Sequence, residues 1–168
     1  MRLMTALLAV PLLAVACTSS HNNNRRIQVA GTRPGPCSSG QLGVFAVANG
    51  GGGAMVGEFA LRNNGLARCT LQGRPVVSLL GTNRRPLDVQ TEGVTPARRL
   101  RLLPQSVASV HFQWRNWCRL AFPPRVTMKL ALPHGGGSIS ARMAVGRPRC
   151  DSPKDPSTLS VDPFQPSS

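Results

Sequence analysis

LRNNGLARCTLQGRP, residues 61–75, decides how the chain is read. Asn63-Asn64-Gly65 is a turn, because Asn tolerates a left-handed backbone and Gly adopts one without steric cost. Before the turn, Met55, Gly57, Phe59 and Leu61 alternate with Val56, Glu58, Ala60 and Arg62. That period of two predicts a strand with its first set facing a core. After the turn, Cys69 and Leu71 share one face of a strand that continues the meander. Gly73 begins a second turn, and Val76 to Leu80 is a short apolar strand stopped by Gly81-Thr82-Asn83.

The same pattern extends in both directions. Leu42 to Ala48 is apolar with no helical period and predicts a strand. Asn49-Gly50 and the three glycines after it predict a hairpin loop; no Gly-Lys-Ser/Thr follows, so the loop is not a phosphate cradle. Arg84-Arg85-Pro86 restarts the chain toward an edge strand over Leu87 to Thr91, and Glu92 to Ala97 is a loop. Arg98 to Leu103 fits a strand and a single helical turn equally well. Ala108, Val110, Phe112 and Trp114 point one way on a long strand, with Ser109, His111 and Gln113 on its other side. Val126, Met128, Leu130 and Leu132, then Ile139, Ala141, Met143 and Val145, mark two more strands around a loop at Pro133 to Gly137. Leu159 to Val161 adds a short terminal strand. Strands at this spacing predict an all-β fold, an immunoglobulin-like antiparallel β-sandwich over residues 37–164, with a structureless end at 165–168.

Of five cysteines, Cys37, Cys69, Cys118 and Cys150 lie in that domain, none at the two-residue spacing of a zinc knuckle or redox pair. Four cysteines allow three pairings. The favoured one, Cys37–Cys69 with Cys118–Cys150, keeps each bridge between neighbouring strands and closes two loops of similar length. In the chain-entropy view each such loop stabilises by roughly 3–4 kcal/mol.

The Asn-rich turn followed by Cys69-Thr70-Leu71, Gly73 and Pro75 resembles the secreted domain-of-unknown-function 4232 family of actinobacterial lipoproteins. Trp114-Arg115-Asn116-Trp117-Cys118 is similar to the same family, as are Cys150-Asp151, Ser157 to Val161 and Pro163-Phe164. The resemblance runs from about Cys37 to Phe164 and departs at Arg74, where the family pattern has an aromatic residue. It implies a β-rich extracytoplasmic domain. It brings no known chemistry and no catalytic residues.

The first 16 residues hold one charge, Arg2, and then an apolar run. That run has the length of a signal-peptide core and is too short for a bilayer span of about 20 residues. Small residues before Cys17 resemble a lipobox, with Ala14 where leucine is usual. The reading is a signal peptide over 1–16, lipidation at Cys17, and a polar flexible tether over 17–36. The alternative is an ordinary signal peptide that leaves Cys17 as a free thiol. Formal charge is +14, and +13 without Arg2; only two of the 20 basic residues are lysine. Such a charge draws polyanions, and export directs that attraction to lipid headgroups, wall polymers or envelope proteins rather than nucleic acid.

No Gly-x-Ser-x-Gly elbow is present, and the acids inside the strand region are only Glu58, Asp88 and Glu92. His21, His111 and His134 are scattered, which predicts no metal site and no cofactor. Trp117, beside Cys118, is expected to pack on a disulfide; the rival reading is an exposed platform for sugars. Arg84, Arg85, Arg98, Arg99 and Arg101 form the densest basic clusters and are the candidate anion-binding residues, expected to converge on one edge. The functional expectation is a non-catalytic binding or structural module on the extracytoplasmic face of the cell membrane. An envelope hydrolase or a plain spacer are the alternatives.

Overall fold

A computed structural model describes residues 33–92 and 98–167. The leader, Cys17, the tether up to Thr32 and the loop at 93–97 lie outside the described residues. The fold is all-β, a sandwich-like arrangement of open sheets. Chain order is β1 (Leu42–Gly51), β2 (Ala54–Asn63), β3 (Cys69–Leu71), β4 (Val76–Leu80), β5 (Gln90–Glu92), β6 (Leu100–Leu102), β7 (Val107–Arg115), β8 (Val126–Ala131), β9 (Ser138–Met143), β10 (Thr158–Val161) and β11 (Gln165–Pro166). A larger sheet runs β1-β2-β7-β10-β5, with β11 also on β7; a smaller one runs β4-β8-β9.

Local chemistry explains the best-formed pair. Gly51 pairs with Ala54, leaving Gly52 and Gly53 as a two-residue turn at φ +57° and +85°. Two left-handed residues are what a type I′ hairpin needs, so the turn falls at the last two glycines of the expected loop, and β1 runs on through Asn49, Gly50 and Gly51. Gly57 sits under the Phe112 ring; a Cβ there would lie 2.3 Å from Phe112 Cζ. The smallest residue thus lets the largest cross-strand neighbour lie flat. Met55, Phe59 and Leu61 are buried with Val110, Trp114, Met128 and Leu130, so the alternating sets do form one core.

Three expectations change. β3 does not extend the meander: it pairs with β6, in a separate two-stranded ladder with Cys69 opposite Leu102. Within the Arg98–Leu103 stretch, Leu100–Leu102 is therefore strand, and no helical turn forms. Residues 165–167 are not structureless: Gln165 and Pro166 pair with Ser109 and Ala108, and Ser167 N–H donates to Val107 O at 3.1 Å, while Ser168 lies outside the described residues. The tether also ends earlier than residue 36. Thr70 N–H donates to Gly35 O at 2.9 Å, and Pro36 bridges Thr70.

Both favoured disulfides are present. Cys37–Cys69 has Cα atoms 4.9 Å apart and Cys118–Cys150 4.6 Å apart. The first is buried in the core; the second is solvent-accessible at Cys150. They mark the two ends of the sandwich. The entry end holds residues 33–41, β3, β6, the Asn63–Arg68 turn and the one-turn 3₁₀ helix at Pro133–Gly135. The far end holds the Gly52-Gly53 turn, the segment from Gly81 to Asp88, the β7–β8 connection and the segment leading to β10.

Candidate functional site

At the far end β7 leaves the sheet through Asn116, a buried asparagine at φ +56°. Its Nδ2 donates to Ser152 O and Asp155 O, both at 2.9 Å, and to Pro156 O at 3.2 Å. Its Oδ1 accepts from the N–H groups of Asp151 and Ser152, each at 3.0 Å. One side chain thus ties the 150–156 segment down. Trp114 Nε1–H donates to Ser157 Oγ at 2.8 Å, and Ser157 Oγ–H to Arg115 O at 3.0 Å. The residues that carried the resemblance at this end are structural anchors.

Trp117 is buried, which overturns the exposed-platform reading. Its indole Nε1–H donates to Ala121 O at 3.1 Å, curling the connection back. Its ring contacts are Trp114, edge-on with centroids 5.3 Å apart, and Phe122 at 6.0 Å. The disulfide is a neighbour in sequence, whereas these two rings hold the indole.

The curl forms one wall of a groove of about 590 Å³. Trp117, Ala121, Phe122 and Pro123 line this wall, and Pro86 and Leu87 line the facing one. Arg119 and Asp88 close one end as an ion pair, and Arg147 Nη2 donates to Arg119 O at 2.7 Å. Asn83 and Pro86 both line the groove, so Arg84 and Arg85 stand on the turn that forms its rim. Arg84 adopts φ +60°, with its N–H on Gly81 O at 3.0 Å. Both arginines are exposed, and among the described residues neither guanidinium meets a carboxylate.

Arg98, Arg99 and Arg101 are elsewhere. They lie on β6 and its lead-in at the entry end, where Arg99 Nε donates to Gln72 Oε1 at 2.9 Å. Leu80, before Arg84, pairs with Thr127 at one end of β4, and Val76 pairs with Ala131 at the other. At about 3.3 Å per residue, β4 alone holds the two basic clusters roughly 13 Å apart. They do not converge on one edge.

Material for acid–base chemistry collects on the outer face of the larger sheet. Glu58, His111, Ser160 and Asp162 line a shallow hollow there, with His111 Nε2 3.9 Å from Glu58 Oε2. Among the described residues no three His, Cys, Asp or Glu side chains gather as a metal-binding group, and no helix is long and apolar enough to cross a membrane.

The family comparison agrees with this geometry over nearly the whole described chain. The family model "Domain of unknown function (DUF4232)" matches residues 37–165. The chain belongs to the DUF4232 family. The match begins at Cys37, where the lead-in is bridged to β3, and ends at β11 on β7. In this chain the matched region is the two-ended sandwich described above, with both disulfides inside it. No curated protein and no solved structure matches the chain.

Proposed function

We propose that this DUF4232 chain is an extracytoplasmic, non-catalytic binding module that holds a phosphorylated glycan of the cell envelope at its far end. The carrying observation is the groove, with apolar walls from Phe122, Pro86 and Leu87, and the exposed Arg84 and Arg85 on the short turn between its lining residues Asn83 and Pro86. Mostly apolar concavities with a few placed polar groups are the usual form of ligand sites. The C–H face of a sugar ring suits the proline and phenylalanine surfaces. The planar guanidinium suits phosphate, because it donates two parallel hydrogen bonds. The entry end, where the chain leads in from the leader side, is opposite the groove.

The test is co-sedimentation with purified envelope across a salt series. Arg84→Gln/Arg85→Gln is expected to weaken binding about tenfold at low salt, the loss of one or two charge-assisted contacts. Arg98→Gln/Arg99→Gln/Arg101→Gln is expected to change it little. Binding by the parent protein should fall as the screening length drops from about 30 Å at 0.01 M to about 8 Å at 0.15 M. Equal binding by all three proteins at every salt would leave a spacer as the better reading.

The membrane anchor is part of the same proposal. It is supported by the short apolar leader and the small residues before Cys17. Cys17→Ser should release the protein from membranes and abolish palmitate labelling. A chain that keeps its membrane association without Cys17 would refute a lipid anchor there.

A further inference from the structure

At the entry end two turns stand side by side, each tipped by a bare leucine. Leu66 is 100% exposed on the Asn63–Arg68 turn, and Leu103 is 52% exposed on the turn from β6 to β7. Buried Asn63 pins the two turns together. Its Nδ2 donates to Ala67 O at 2.9 Å and to Leu102 O at 3.2 Å. The residue after Leu66 and the residue before Leu103 therefore meet at one nitrogen. Its Oδ1 accepts from Gly65 N–H at 3.0 Å, and its backbone carbonyl accepts from Gln105 N–H at 2.7 Å. A fully bonded buried amide is a rigid mount, so both leucines are held in solvent.

Charge around these tips has one sign. Arg33, Arg62 and Arg68 are exposed beside them. None of the six acidic residues lies in the lead-in over 33–41 or in the segments 63–75 and 98–106. The chain also enters the fold here. Thr70 N–H donates to Gly35 O at 2.9 Å, and Pro36 bridges Thr70 in the parallel sense. The residues before Pro36 therefore run back beside Arg68 toward the Leu66 turn. Arg99 is at the other end of the β3–β6 ladder, on Gln72, away from both tips.

We propose that this end docks on the surface of an anionic lipid bilayer, with Leu66 and Leu103 entering the outer acyl region and Arg33, Arg62 and Arg68 among the headgroups. Interfacial binding of this kind adds buried apolar area to attraction toward anionic lipid. Shape selects a bilayer over a protein. A stable protein interface needs about 800 Å² of continuous face on each partner, whereas a fluid surface closes around two separate convex tips. Charge selects anionic lipid, because exposed arginines with no acid among them complement phosphate headgroups. The N-terminal side of the chain leaves the domain at the same tips, so docking requires no reversal of the backbone. Docked in this way, the domain turns its far end and the groove away from the bilayer. The contact is separate from a lipid on Cys17 and does not depend on one.

The experiment mixes the full chain with an excess of protein-free vesicles whose acyl chains carry bromine, made of phosphatidylglycerol or, beside it, of phosphatidylcholine. Bromine quenches an indole that reaches the acyl chains, and the native Trp114 and Trp117 are buried and give a constant background. Leu66→Trp and Leu103→Trp are each expected to lose most of their added emission on phosphatidylglycerol and little on phosphatidylcholine. Leu120→Trp, replacing a leucine 97% exposed at the far end, is expected to lose none on either lipid. Adding Arg33→Gln/Arg68→Gln to Leu66→Trp should raise the lipid needed for the same quenching at least about tenfold. The same quenching is expected with Cys17→Ser, so a failed lipid anchor and a failed docking surface are told apart. Four results would each overturn the proposal. They are no quenching at either leucine position on phosphatidylglycerol, equal quenching at Leu120→Trp, equal quenching on the two lipids, and a blue shift of Leu66→Trp on native membranes with none on protein-free vesicles. The last would assign the tips to a protein partner. Two reporters on separate turns keep the test decisive where one substitution disturbs its own turn.

Discussion

Asn116→Ala is expected to destabilise the domain by about 3–5 kcal/mol. Five hydrogen bonds converge on this one buried amide. A typical bond contributes about 0.5–1.5 kcal/mol net, and buried groups left without partners cost about 1–3 kcal/mol. Alanine at φ +56° adds about 1 kcal/mol of backbone strain. A total of this size is a large share of a stability of about 5–15 kcal/mol. It corresponds to a drop in melting temperature of roughly 10–20 °C. Asn116→Gly separates the causes: glycine removes the strain and keeps the loss of bonds, so it should recover only about 1 kcal/mol. Thermal unfolding followed by circular dichroism is the measurement. A loss below about 1 kcal/mol for Asn116→Ala would mean that water replaces the amide and that it does not hold the 150–156 segment.

Loss of the two disulfides should differ, although chain entropy predicts the same effect. Both close loops with a sequence separation of 32, worth roughly 3–4 kcal/mol each. The difference lies in the folded state. Cys37 and Cys69 are buried among core residues, whereas Cys150 is exposed. Cys37→Ala/Cys69→Ala should therefore cost about 1–2 kcal/mol more than Cys118→Ala/Cys150→Ala, because sulfur atoms are removed from a packed interior. The Asn116 hydrogen bonds also still hold the 150–156 segment when the second bridge is gone. Chemical denaturation of the two variants side by side reads this directly. Equal losses would assign the whole effect to the unfolded chain.

The strands were legible wherever one face is buried. β2, β7, β8 and β9 each alternate apolar and polar residues, and burial follows that alternation in the structure. Val76–Leu80 was legible as a short apolar run between turns. Partners were not legible. Cys69 and Leu71 show the same core-facing pair whether β3 joins β2 or β6, since alternation records a face and not a neighbour. β10 has only four residues, yet it lies between β7 and β5, and its pairing with β5 is parallel. Nothing local encodes a partner 43 residues upstream, such as the one that gives Trp114 its bond to Ser157. The groove was missed for a related reason: its walls come from segments around Pro86 and Phe122, each unremarkable alone. Asn116 left a trace, an asparagine between two tryptophans at a strand end, where a left-handed residue is expected to stop the strand. Both arginine clusters are exposed, but Arg101 lies on β6, and β4 separates that cluster from Arg84 and Arg85 on the turn after it.

The most direct test of the proposed function is an NMR titration of the protein with a soluble fragment of a sugar-phosphate polymer. Trp117 Nε1–H, bonded to Ala121 O in the groove wall, and the backbone amides of Arg85 and Arg119 are the reporters. The account predicts saturable shifts at these three positions, with Arg99 and Arg101 at the opposite end unmoved. Shifts confined to Arg99 and Arg101, shifts spread evenly over every arginine-bearing segment, or none at all would contradict it.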